Sequence, residues 1–97
     1  MFNSTSEKYF ERKLKEAVSA KGGLCIKLLS NHFLGLPDRM CLLPGGRIFF
    51  CEIKSTGFKR SGKQEWVHKK LIQLGFKSYL IDNMEIIKYL TDDDVRL

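Results

Sequence analysis

Apolar residues recur at helical spacing near the start of the chain: Phe10, Leu14, Ala17 and Val18 stand at i, i+4, i+7 and i+8, the repeat of one buried helical face. The pattern predicts a helix over residues 5–21, opened by Ser4-x-x-Glu7 as a capping box and stopped by Gly22-Gly23. Leu24 to Leu29 is an apolar run too short for a helix, which predicts a largely buried strand, and Ser30 to Gly35 follows as a loop. Two further strands, Asp38 to Leu43 and Arg47 to Lys54, flank Pro44-Gly45-Gly46 and predict a hairpin. Ser61-x-x-Gln64 has the form of a second capping box, after which Trp66, Val67, Lys70, Leu71 and Leu74 continue a helical face up to Gly75. Lys77 to Ile81 predicts a last strand and Asp82 to Leu90 a short terminal helix.

The predicted order is αβββαβα. Joining the third and fourth strands through a helix favours a right-handed parallel crossover, so the expected fold is a small α/β domain, a mixed β-sheet flanked by helices. At 97 residues, with neither repeat nor linker, the chain is expected to form a single domain over 1–97. Hydrophobic residues at 43% and charged residues at 29% suit a folded chain rather than a disordered one.

Charge adds a partner. A formal net charge of +6 predicts attraction to polyanions. Lys54, Lys59, Arg60 and Lys63 cluster in one stretch, whereas Asp92-Asp93-Asp94 confines acid to the tail. Cys25, Cys41 and Cys51 lie in apolar runs without paired spacing and read as reduced core residues; a zinc site joining them to His32 lacks the ligand spacing such sites use. No apolar window suggests a leader or a membrane span, so a soluble intracellular protein is expected.

Candidate chemistry lies on the hairpin. Strand alternation puts Ile48, Phe50, Glu52 and Lys54 on one face and Cys51 and Ile53 on the other. A carboxylate on an otherwise apolar strand needs a partner, a hydrogen bond or a metal. Asp38, at the start of the neighbouring strand, is placed to be a second oxygen ligand for a hard cation, while Pro37 fixes the backbone and Gly35 permits close approach to a phosphate backbone. The plainer alternatives are a turn-capping Asp38 and an exposed Glu52–Lys54 ion pair. Lys59, Arg60 and Lys63 read as phosphate contacts, and Trp66 and Phe76 as core or dimer-interface residues in preference to base-stacking platforms. His32 and His68 lack partners for general-base catalysis, and no nucleotide-binding loop implies a nucleotide cofactor.

Taken in order, Gly35-x-Pro37-Asp38, Glu52-x-Lys54 and Ser61-x-x-Gln64-x-x-Val67 resemble the PD-(D/E)XK nucleases, specifically the VRR-NUC branch in its small stand-alone phage-type form, over nearly the whole chain. The resemblance implies a restriction-endonuclease-like αβββαβ core and a divalent-metal endonuclease. Asp38, Glu52 and the main-chain carbonyl of Ile53 would bind Mg²⁺ or Mn²⁺, and Lys54 would stabilise the attacking water and the charge developing on phosphorus. It also implies a glutamate from the first helix, for which Glu7 and Glu11 both qualify, and a role for Gln64 beside the site in addition to its cap. The implied substrate is branched DNA, foremost the four-way Holliday junction, cut by a homodimer. A flap or fork nuclease and a non-catalytic basic DNA-binding module are the alternatives.

Overall fold

The computed structural model describes residues 2–92, with side chains from residue 6 onward. Its elements are α1 (Phe2–Ala20), β1 (Leu24–Lys27), β2 (Arg39–Leu43), β3 (Arg47–Ile53), α2 (Gly62–Gln73), β4 (Lys77–Ile81) and α3 (Met84–Thr91). The predicted order holds throughout. One sheet of order β1-β2-β3-β4 is antiparallel across its first two pairs and parallel between β3 and β4, where α2 makes the crossover.

Sheet alternation sorts the strands into two faces. Cys41, Leu43, Phe49, Cys51, Ile53 and Ile81 pack with Leu14 and Val18 of α1 and Ile87 and Leu90 of α3. Each large buried side chain on this face stabilises the fold by roughly 1.5–3 kcal/mol relative to exposure. On the opposite face α2 lies against β4, where His68 Nδ1 is 2.9 Å from Ser78 Oγ. The other strands keep Leu24, Met40, Leu42, Ile48 and Phe50 there without a covering helix, and Leu24 is 61% exposed.

Several boundaries differ from expectation. The first helix starts at Phe2, so Ser4 lies inside it and is no N-cap; its side chain is outside those described. The strand expected to be largely buried is mostly exposed, because β1 is the sheet's edge and is covered on one face only. Its ladder ends at Lys27, though Leu28 N–H still donates to Asp38 O at 2.9 Å. Asn83, not Asp82, caps α3 by accepting from Ile86 N–H at 3.0 Å. The second capping box is present in full: Gln64 N–H donates to Ser61 Oγ at 3.2 Å, and Ser61 N–H to Gln64 Oε1 at 2.9 Å.

Two apolar side chains expected on the covered face of α2 are exposed. Trp66 is 59% and Leu74 62% exposed, which leaves Val67 as the helix's buried residue; Phe76 is 43% exposed and meets Phe50 edge-on at 5.8 Å. Cys25 and Cys41, read as unpaired in spacing, face each other across β1 and β2 with sulfurs 3.8 Å apart. Their mutual hydrogen bond and burial push the Cys25 thiol well above its ordinary range. Asp93 and Asp94 of the acidic tail lie outside the described residues, among which no helix is long and apolar enough to cross a membrane.

Candidate active site

The hairpin and the loop before it bring the predicted carboxylates to one end of the sheet. Asp38 N–H donates to Cys51 O at 3.0 Å, while Arg39 is the residue in register with Cys51. Two consecutive residues thus oppose one, the arrangement of a β-bulge, which re-aims a side chain locally. The Asp38 carboxylate turns back across the hairpin, and its Oδ2 accepts from Ile53 N–H at 2.7 Å. A half-buried aspartate is thereby held against the strand that carries Glu52.

Asp38 and Ile53 line a cleft of about 240 Å³ with Glu7, Lys8 and Glu11 of α1 and Lys27 of β1. Both candidate glutamates of the first helix reach it. They differ in what holds them: Glu11 Oε2 accepts from Arg39 Nε at 3.0 Å and from Arg39 Nη2 at 2.7 Å, and Arg39 Nη1 also donates to Cys25 O at 3.3 Å. The Arg39 side chain is 9% exposed, so Glu11 neutralises a buried guanidinium.

Glu52 is not among the residues lining this cleft and is 1% exposed. Its Oε1 accepts from Arg60 Nε, and Arg60 also stands 3.7 Å from Glu65. Arg60 was expected on the surface with Lys59 and Lys63; those two are exposed, but the Arg60 side chain is 11% exposed. The reason is electrostatic, since a carboxylate inside an apolar sheet requires a nearby cation. Burial pushes the Glu52 carboxyl above the usual carboxylate range, as does the charge of Asp38, while Arg60 and Lys54 pull it down. Lys54 is half-buried just past β3, its N–H donating to Ile81 O at 2.9 Å.

Gly35 has a packing role that its sequence does not show. At φ +89 it lies against the first turn of α2, where an added Cβ would stand 2.6 Å from the Lys63 carbonyl oxygen. It therefore pins the loop ahead of Asp38 to the helix following Arg60. Gln64 Oε1 is engaged in the cap of that helix.

The donor set suits a hard divalent cation, because every candidate ligand is oxygen. Glu52 Oε2 is buried with no hydrogen-bond partner, an orphan that a cation would satisfy. Among the described residues no three Asp, Glu, His or Cys side chains converge closely enough to hold an ion. Glu52 and Glu11 instead each have a guanidinium partner. Arg39 escaped the sequence reading, although an arginine alternating with Cys41 and Leu43 on a strand signals a buried cation in need of a carboxylate.

Compared with protein-family models, the chain matches none. It is 33% identical over 84 residues to a protein of Acyrthosiphon pisum secondary endosymbiont phage 1 named "Putative nuclease p44", covering 87% of this chain and 90% of that one. A solved structure described as a VRR_NUC domain superposes with a TM-score of 0.83 at 26% identity, over 93% of this chain and 98% of the other. Sequence relationship to a phage nuclease and near-complete agreement in fold lead to the same place: the chain belongs to the VRR-NUC nucleases of the PD-(D/E)XK superfamily.

Proposed function

We propose that this nuclease is a Mg²⁺- or Mn²⁺-dependent endonuclease that cuts branched DNA, foremost four-way junctions, as a homodimer. The observation that carries the reading is the Asp38–Ile53 hydrogen bond of 2.7 Å, which holds one carboxylate beside the strand bearing Glu52 and Lys54. Asp38, Glu52 and the Ile53 carbonyl would hold the cation, with Glu7 the glutamate of α1 available at the cleft. Bound there, the cation supplies Lewis acidity toward the phosphate and a lowered pKa for a coordinated water. Lys54, on the same face as Glu52, would stabilise charge developing on the phosphate oxygens. Lys59 and Lys63, both exposed, would contact flanking phosphates.

The uncovered sheet face supports the homodimer. Leu24, Ile26, Met40, Leu42, Ile48 and Phe50 form an uncharged patch on it, with the buried Glu52 and half-buried Lys54 of the same face confined to the far end of β3, so a twofold copy could be apposed over the patch despite the net charge of +6. A twofold enzyme suits a junction of matching symmetry, whereas a flap or fork would be nicked on one side.

A panel of labelled four-way junction, flap and duplex, run with Mg²⁺, Mn²⁺ or EDTA beside a sedimentation measurement, tests the reading. Paired symmetric nicks in the junction, abolished by EDTA, support it. Preferential cutting of the flap would replace the junction, and binding without cutting would leave a DNA-binding module.

A further inference from the structure

A groove of about 870 Å³ runs between the loop at His32, Phe33 and Leu34 and the start of α2 at Ser61, Lys63 and Trp66. Phe33 is 52%, Leu34 68% and Trp66 59% exposed, an aromatic and aliphatic lining that no other part of the described chain covers. Gly35 packs against α2 closely enough that an added Cβ would overlap the Lys63 backbone, which ties the two walls together three residues ahead of Asp38. The groove is therefore built by the same loop that delivers the metal-site aspartate.

From this we infer that the groove is a stacking subsite for an unpaired nucleobase of the DNA strand. Charge decides the occupant. No carboxylate lines the groove, Lys63 does, and Lys69 and Lys70 stand three and four residues beyond Trp66, one helical turn away. Glu65, the nearest acid in sequence, is turned to Arg60. A second copy placed here about a twofold axis would bring these lysines toward their own counterparts, whereas Leu24, Ile26, Met40, Leu42, Ile48 and Phe50 offer that copy an uncharged patch on the sheet. A polyanion gains from the same lysines, and its bases can stack on Trp66 and Phe33. Flaps and forks supply such bases in their single-stranded arms, and a four-way junction supplies them where pairs at its centre open. The inference rests on the reading of this chain as a DNA nuclease and gives that reading a means of selecting unpaired DNA.

Trp66 is the chain's only tryptophan, so its emission reports the groove directly. With EDTA present to prevent cutting, oligo(dT) is expected to quench that emission, while a fully paired hairpin binds, by anisotropy, with little quenching. Trp66→Leu should weaken oligo(dT) binding by between about fivefold and about 150-fold, the range for losing one stacked base, and leave hairpin affinity and sedimentation unchanged. Trp66→Phe should restore most of the loss. Oligo(dT) binding without quenching, or with wild-type affinity in Trp66→Leu, overturns the inference, as does a change of oligomeric state in that variant. Failure to bind either DNA would overturn the reading of DNA as the substrate.

Discussion

Arg60 donates its Nε–H to Glu52 Oε1, closing a buried ion pair between the loop after β3 and the strand's own acidic residue. The carboxylate that the nuclease reading needs is thus neutralised from within the fold.

Removing the guanidinium should expose that dependence. Arg60→Ala leaves Glu52 buried without its cation, and the loss of a buried partner costs roughly 3–5 kcal/mol. Urea denaturation should show a correspondingly lower midpoint with an unchanged slope. Mn²⁺ is expected to stabilise this variant more than wild type, by mass action on a carboxylate that no longer has a competitor. Equal stability of the two proteins without metal would show that the pair is not formed in solution.

The two glutamates of α1 separate by the same logic. Glu11→Gln strips the buried Arg39 of its charged partner and should cost about 1–3 kcal/mol. Glu7 has no such duty among the described contacts, so Glu7→Gln should leave the melting temperature unchanged and lower cleavage. A melting temperature that falls for Glu7→Gln and not for Glu11→Gln would reverse the assignment.

Gly35 and Gly45 make a matched pair of positions. Both have φ above +80, but an added Cβ at Gly45 meets nothing within 4 Å, whereas at Gly35 it meets the Lys63 backbone at 2.6 Å. Gly45→Ala should cost only the left-handed backbone penalty of about 1–2 kcal/mol. Gly35→Ala should cost clearly more and depress cleavage too, because it displaces the loop carrying Asp38. Thermal melts showing equal losses would mean that the loop yields without cost.

His68 gives the fold a pH dependence of known sign. Burial, with Arg60 adding to it, holds the imidazole below its ordinary pKa. A base with a depressed folded-state pKa contributes stability that is present above its unfolded value of about 6.5 and is lost as pH falls through the folded one. Unfolding free energies measured through that window should decline toward acid, and His68→Asn should flatten the decline. An equally steep decline in the variant would place the titration elsewhere.

Element order, the hairpin and the second capping box were legible because period and turn chemistry are local properties of sequence. Face assignment on β3 was legible for the same reason: Glu52 and Lys54 alternate with Cys51 and Ile53. Burial of β1 and of Trp66 was not, since it depends on which face a distant helix covers. Arg60 was misread as a surface cation because its partner, though only eight positions away, is brought to it by the loop's path. The packing of Gly35 against the Lys63 backbone was not legible either, because no local pattern encodes it.

The most direct measurement of the central claim is cleavage of a labelled four-way junction by wild type, Asp38→Asn and Lys54→Ala at saturating Mg²⁺ or Mn²⁺. Wild type should cut and lose all activity in EDTA, and both variants should bind the junction with a wild-type circular-dichroism spectrum yet fail to cut it. Normal cleavage by either variant, or metal-independent cleavage by wild type, would contradict the account.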